Sequence, residues 1–253
     1  FNVDAEEEEN IPIASQDAKS VFTQDPAVTG EKWITIDLAD YGTDNAIYLA
    51  WNGFDAYDID IVTNSTPRSN AEHARVFAAK HGISLSHIIY DATAGRYFND
   101  YIPEAIPYIS AAKPMGIYAL SACSVKDLCY LRLCQMIKRG EFTMSDNVAE
   151  KVYTHQNLKY RVTVENEFLE ECSVVRFSET GTGRKRLWSK KEMNRNLGKG
   201  RSMDLLDPCA MRMYPCMNME YGTEIEQGFS ASERESNEVK PGAISIYSRT
   251  LWG

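Results

Sequence analysis

The feature that most restricts the fold of this chain is a run of three strand-like segments joined by short turns. The first, residues 32–38, is mostly apolar and rich in β-branched side chains, and a turn at 41–45 separates it from the second, residues 46–51. Asn52-Gly53 marks another turn, after which residues 56–63 alternate between apolar and polar side chains. Consecutive strands with such short connections predict an antiparallel meander.

The hydrophobic period changes from that of strands to that of helices after the meander. Small and apolar residues between positions 71 and 81 fall on one helical face, and residues 87–91 then predict a short buried strand. Further helices are predicted over 125–138 and 203–213, with a hairpin between residues 174 and 188. This order predicts an α/β fold in which the meander and parallel strands form a mixed central sheet flanked by helices.

Charge is distributed unevenly along the chain, which has a formal net charge of −9. Residues 1–30 are polar, contain four consecutive glutamates at 6–9, and predict a flexible acidic lead-in or linker. One domain is predicted over 31–215, followed by a C-terminal extension, 216–253, packed on that domain. No stretch approaches the ~20 apolar residues of a transmembrane helix, so we expect no membrane partner.

Four aspartates fall where two predicted strands end and where the last predicted helix begins. Asp37 ends the first strand, Asp91 ends the strand after the first helix, and Asp204 and Asp207 open the late helix. If the two strands are parallel neighbours, Asp37 and Asp91 lie side by side, and the late helix can add a third carboxylate. Clustered carboxylates repel one another unless a divalent cation neutralises them. Each aspartate alone is more often a turn former or a helix cap, so the combination carries the prediction of a metal site.

The ordered set of motifs around these acids resembles the nuclease domain of tailed-phage large terminase subunits. Residues 36–46 look like its first motif, an apolar strand followed by Asp and a small turn, and residues 88–95 resemble the second. The lysine-bearing segment 189–193, followed by 202–207, resembles the third motif, and the acidic segment 167–171 fits the family's helix at that place. The resemblance implies an RNase H-like nuclease domain.

The resemblance also implies which residues act and which cofactors they hold. The implied catalytic residues and metal ligands are Asp37, Asp91 and Asp204. Asp207 and Asp44 are candidates for an additional ligand, and Met203, where the family commonly has proline, leaves the choice between Asp204 and Asp207 open. The implied cofactors are two Mg²⁺ or Mn²⁺ ions, which suit oxygen-only ligands and can activate a water and stabilise a leaving oxygen.

The implied function is the cutting of concatemeric viral double-stranded DNA during genome packaging in the host cytoplasm. The implied partners are the DNA, an upstream packaging ATPase domain, the portal protein and the small terminase subunit. The sequence contains no G-x-x-x-x-G-K-[ST] motif, so we expect the motor to lie outside this chain. The alternatives are a non-catalytic RNase H-like module that docks DNA or the portal, and an actin-like ATPase fragment, for which a second phosphate loop is not evident.

A basic cluster lies between the predicted hairpin and the third acidic motif. Segment 184–201 carries eight basic residues and one acidic residue. A charge run is usually a solvated surface, but this one flanks the predicted metal site and predicts sequence-independent, salt-sensitive phosphate contacts. The residues predicted to contact DNA are Arg184, Lys185, Arg186, Lys190, Lys191 and Arg195.

Overall fold

The computed structural model describes residues 12–26, 30–38, 45–95, 97–155, 160–197 and 203–217. The strands are β1 (Lys32–Asp37), β2 (Ala46–Asn52), β3 (Asp55–Val62), β4 (Ile88–Asp91), β5 (Ile106–Tyr108), β6 (Thr143–Met144), β7 (Val152–His155), β8 (Tyr160–Thr163), β9 (Phe177–Glu179) and β10 (Lys185–Leu187). The helices are α1 (Ser15–Ser20), α2 (Pro67–His81), α3 (Phe98–Tyr101), α4 (Val125–Arg139), α5 (Asp146–Ala149), α6 (Val164–Val174), α7 (Lys190–Leu197) and α8 (Leu206–Met211). The predictions for Asp44 and for most of the C-terminal extension lie outside the described residues.

Six strands form a mixed sheet in the order β5-β4-β1-β2-β3-β6. Strands β1, β2 and β3 form the predicted antiparallel meander. Strand β4 lies parallel to β1, and β5 and β6 extend the sheet with parallel pairings to β4 and β3. Helices cover both faces, so the predicted α/β fold with a mixed central sheet is confirmed.

Strand β2 is buried on both faces of the sheet, which explains its uninterrupted apolar sequence. Tyr48 and Ala50 share a core with the small residues of α2. Leu49 and Trp51 point the other way, into a core built by α1, α4, α6 and α8. Successive residues of a strand point to opposite faces, so each position of the sheet belongs to one of these two layers.

Residues 12–26, which belong to the predicted acidic lead-in, pack onto the domain. Residues Ser15–Ser20 form α1, and the flanking Ile13 and Val21 are 2% and 1% exposed in the α4 core. The backbone N–H of Met144 donates to the Val21 carbonyl at 3.0 Å. Ile13 and Val21 are thus buried with the core of the domain, and the rest of the predicted lead-in up to residue 29 lies outside the described residues.

The first turn of helix α4 lies near the edge of the sheet that bears Asp37 and Asp91. The Ser124 hydroxyl caps this helix by accepting from the Asp127 backbone N–H at 3.1 Å. Gly140 ends it at φ 67°, a left-handed conformation that costs glycine little. Within the described residues, no helix is long and apolar enough to cross a membrane.

Candidate metal centre

Asp37 and Asp91 lie at the same level of two adjacent parallel strands. Ile36 pairs with Tyr90, so the next residue on each strand is one of the two aspartates. Ile89, two residues before Asp91, packs into the α4 core, and the alternation of β1 gives Asp37 the same orientation. Neighbouring strands are separated by about 4.8 Å, so the two carboxylates share one edge and one face of the sheet, as predicted.

The loop after Asp91 closes tightly on the end of β1. The Asp91 Oδ1 atom accepts from the Thr93 N–H at 2.8 Å, and the Gly95 N–H donates to the Asp91 carbonyl at 2.9 Å. A Cβ atom at position 95 would lie 2.3 Å from Leu38 Cδ1 and 3.0 Å from the Asp91 carbonyl oxygen. A side chain at position 95 would therefore displace the end of the Leu38 side chain and crowd the Asp91 carbonyl.

The third motif is held in place by a buried carboxylate of α6. Glu171 Oε1 accepts from the backbone N–H groups of Asp204 and Leu205 at 3.0 and 3.1 Å, and Oε2 accepts from that of Leu206 at 2.7 Å. Burial raises the pKa of Glu171, as does repulsion from Asp204 and Glu167, and the backbone hydrogen bonds offset only part of this. Glu171 thus caps the start of α8 and sets the position of Asp204.

Asp207 is enclosed by cations and a phenol. Its carboxylate accepts from Tyr130 at 2.6 Å, and the Lys126 and Lys190 ammonium groups lie 2.7 and 3.1 Å from its oxygens. Burial disfavours the ionised form, but Lys126 and Lys190 outweigh burial and hold the pKa of Asp207 well below its usual range. The side chain of Asp207 is 11% exposed, against 28% for Asp204.

The Lys190 ammonium lies among the carboxylates although 41% of its side chain is exposed. Its Nζ atom is 3.3 Å from Asp204 Oδ1, and it also interacts electrostatically with Asp37. Burial of the ammonium lowers its pKa, but attraction to Asp207, Asp37 and Asp204 is larger in total, so the pKa of Lys190 is raised. Lys190 was predicted to contact DNA, and the structure places its charged group within the acid cluster.

The surroundings of Asp37 disfavour its charged form. Burial raises its pKa well above the usual value, and repulsion from Asp207, Asp204 and Asp91 raises it further, against the attraction of Lys190. The oxygen-only donor set, which already holds two ammonium groups, therefore fits a hard divalent cation by charge and by ligand chemistry. In this arrangement, no three His, Cys, Asp or Glu side chains among the described residues are close enough to bind one ion together.

The predicted hairpin is present and is fastened to the first turn of α4. Strands β9 and β10 pair antiparallel, and Gly183 takes φ 78° in the turn between them. The backbone N–H of Leu187 donates to the buried Asp127 Oδ1 at 2.9 Å. The hairpin is therefore positioned next to Lys126 and the acid cluster.

The other basic residues of the predicted DNA contact lie at different places along this hairpin and helix. Arg184 donates to Thr182 Oγ1 at 3.2 Å, and Lys185 pairs with Glu179 at 2.6 Å. Arg186 lines a cleft together with residues of the first turn of α4. Lys191 and Arg195 are exposed on α7.

The sequence does not predict that Lys126 and Tyr130 belong to the site. They lie one turn apart on α4 and both contact Asp207, which is 77 residues from Tyr130 along the chain. The i, i+4 spacing on a predicted helix is the only signal, and it does not say which of the helix faces meets the acids. Glu171 falls within the acidic segment that the sequence associates with the third motif.

Comparison with solved structures shows the fold. The nuclease domain of the large terminase subunit of bacterial virus Sf6 matches with a TM-score of 0.61 at 15% identity, covering 80% of this chain and 97% of that one. A mutant domain from the same bacteriophage subunit with calcium matches with a TM-score of 0.62 at 14% identity, covering 80% and 98%. A mutant nuclease domain with manganese gives 0.61 at 14% identity, covering 80% and 98%.

No protein-family model matches the sequence, and no curated protein matches it. At these identities the solved structures show that the chain has the RNase H-like fold of the Sf6 nuclease domain.

Proposed function

We propose that this chain is a divalent-metal-dependent endodeoxyribonuclease that cuts concatemeric viral double-stranded DNA during genome packaging. The observation that supports this most directly is the placement of Asp37 and Asp91 at one sheet edge, with Asp204, whose backbone is held by Glu171, near enough to act electrostatically on Asp37. The proposed partners are a packaging ATPase domain, the portal protein and the small terminase subunit in the host cytoplasm. The Sf6 domains that share the fold are nuclease domains, and two of them carry calcium or manganese.

Asp37, Asp91 and Asp204 are the residues that we assign to hold two Mg²⁺ or Mn²⁺ ions. Asp204 is preferred over Asp207 because the Asp207 carboxylate is already bound by Lys126, Lys190 and Tyr130 and is the less exposed of the two. When bound, the ions supply activation of a water and stabilisation of the leaving oxygen of a phosphodiester.

The remaining side chains of the cluster prepare it for a phosphate. Asp207 binds the Lys126 and Lys190 ammonium groups among the carboxylates, where they can attract the anionic backbone of DNA. The exposed Lys191 and Arg195 extend the positive charge along α7. Glu171 acts as a positioning residue, because its three backbone hydrogen bonds fix the main chain that carries Asp204.

The test is cleavage of supercoiled plasmid with Mn²⁺, with Mg²⁺ and with EDTA. We expect nicking and degradation only with the metals, and loss of both cleavage and calorimetric Mn²⁺ binding in Asp204→Asn. The matched variant Asp207→Asn should keep Mn²⁺ binding, because the Asp207 carboxylate binds Lys126 and Lys190 and is not assigned to the metal. Cleavage in EDTA, or full cleavage by Asp204→Asn, would contradict the proposal. DNA binding without any cleavage would instead identify a non-catalytic docking module.

A further inference from the structure

A cleft of about 420 Å³ opens to solvent beside the acid cluster. The hairpin contributes Arg186 and Trp188 to its wall, and the first turns of α4 and α7 contribute Lys126 and Lys190. Asp127 is the one carboxylate among its described lining residues, and that group is buried and bound to the Leu187 N–H. The cleft is therefore cationic although the protein as a whole is acidic.

The cleft shares two lysines with the candidate metal centre. Lys126 and Lys190 line the cleft and also contact Asp207, at 2.7 and 3.1 Å. A nucleic acid strand with one phosphate at the acids would thus meet these ammonium groups, and then Arg186, along its backbone. Such contacts bind phosphates without reading sequence.

The size and the aromatic wall of the cleft favour a single nucleotide. Trp188 is 38% exposed at the cleft, whereas Trp33 and Trp51 are 6% and 0% exposed in the core. The cleft volume is near the low end of the ~300–1,000 Å³ range of small-molecule pockets, which suits one nucleotide. An exposed indole beside basic groups is the arrangement by which proteins hold unpaired bases, because every base has a face that stacks.

We propose that this cleft binds one unpaired nucleotide of the DNA strand next to the cut phosphate, with its base against Trp188 and its phosphate at Arg186 and Lys126. This deepens the proposed function and rests on it for the identity of the strand. Strand binding itself is measurable in EDTA, where no metal-dependent cleavage takes place.

The test compares Trp188→Leu with Trp188→Phe on two fluorescein-labelled probes, a short oligothymidylate and a blunt hairpin duplex, in EDTA at low salt. We expect Trp188→Leu to weaken binding of the oligothymidylate about tenfold, because stacking on one aromatic side chain contributes that much, and to leave duplex binding nearly unchanged. Trp188→Phe should restore most of the affinity. Unchanged oligothymidylate binding in Trp188→Leu, or an equal loss on both probes, would overturn the inference.

A second measurement uses the protein's own fluorescence and does not depend on the leucine variant folding. Oligothymidylate should quench tryptophan emission in the wild type, and Trp188→Phe should remove that quenching. Arg186→Gln should weaken oligothymidylate binding and reduce its salt dependence, while Arg68→Gln, which removes one exposed charge from α2 on the other face, should change neither. Quenching that persists in Trp188→Phe would contradict the assignment of the base to this residue.

These outcomes separate the cleft from the proposed cleavage. If plasmid cleavage depends on metal but oligothymidylate binding does not depend on Trp188, the proposed nucleotide site is wrong and the proposed nuclease function stands. Trp188-dependent binding without cleavage would reject the nuclease and keep the cleft as a nucleic-acid site.

Discussion

Aspartates cluster on both sides of the central sheet, and the two clusters are neutralised differently. On the α2 side, Asp58 lies 2.5 Å from Lys80 and 3.0 Å from His81, and Asp60 lies 3.3 Å from His73 and 3.5 Å from Lys151. Each of these carboxylates has its own cationic or imidazole partners. On the α4 side, the four aspartates at positions 37, 91, 204 and 207 are accompanied by two lysines, Lys126 and Lys190, both bound to Asp207.

The pKa of one aspartate in each cluster shows what this difference means. Burial acts against ionisation of Asp58, but the hydrogen bonds from Lys80 and from the Ile59 N–H outweigh it and lower the pKa. Burial and three neighbouring carboxylates raise the pKa of Asp37 despite Lys190. The first cluster stabilises the fold as it stands, whereas the second holds more negative charge than its lysines neutralise, as a cation site requires.

The largest contrast should appear in activity when Asp37→Asn is compared with Asp58→Asn. We expect Asp37→Asn to lower the rate of plasmid nicking in Mn²⁺ by at least the ~100-fold that losing even an outer partner of a metal can cost. Asp58→Asn removes the same charge from the opposite face and should cleave at the wild-type rate. The comparison would fail if both variants lost activity equally in preparations with unchanged circular dichroism.

Glu171→Gln should have the next largest effect, on metal binding. The amide nitrogen of glutamine cannot accept a hydrogen bond, so at least one of the three backbone N–H groups would lose its acceptor. Leaving that buried donor unpaired should lower the free energy of unfolding by about 1–3 kcal/mol. Because the freed main chain carries Asp204, we expect Mn²⁺ affinity to fall about 10–100-fold by calorimetry. Glu170→Gln, an exposed change on the same helix, is the control and should leave Mn²⁺ affinity as it is.

Much of this site follows from the sequence because it depends on strand ends. Strand parity is a local property, so once β1 and β4 are assumed to be parallel neighbours, the sequence places Asp37 and Asp91 side by side. The lysines could not be placed in this way. Lys126 and Lys190 meet at Asp207 only through the packing of α4, α7 and α8, and no local pattern reports such tertiary contacts.

The α2-facing acids show the same limit. The alternation of β3 places Asp58 and Asp60 on one face and favours solvent as their surroundings. In the structure that face carries α2, whose Lys80 and His73 pair with the two aspartates. Which helix covers a face is decided by the whole fold, so burial of a charged residue is predicted less well than its orientation.

We expect one substitution in each cluster to change the melting temperature in EDTA in opposite directions. Asp37→Asn removes a buried charge from a group of like charges, so we expect the melting temperature at neutral pH to rise. Asp58→Asn removes a paired carboxylate and should lower it by a few degrees, since partly exposed pairs contribute about 0.5–1 kcal/mol. The folded pKa of Asp58 is depressed, so its contribution is complete above the unfolded pKa of about 3.9 and is lost as the pH falls through the folded value. Melting curves that fall for both variants would show that the α4-side acids are also structural.

The smallest effect should come from Lys190→Met, measured as the dependence of the melting temperature on metal. The Lys190 ammonium partly neutralises Asp204 and Asp207, so its removal should lower the melting temperature in EDTA by a degree or two, a modest change because the side chain is 41% exposed. Added Mn²⁺ should then raise the melting temperature more in Lys190→Met than in the wild type, because it relieves a larger repulsion. Lys191→Met removes the neighbouring exposed charge and should melt and respond to Mn²⁺ as the wild type does. An equal Mn²⁺ response in all three proteins would mean that the cation binds away from the carboxylates that hold Lys190.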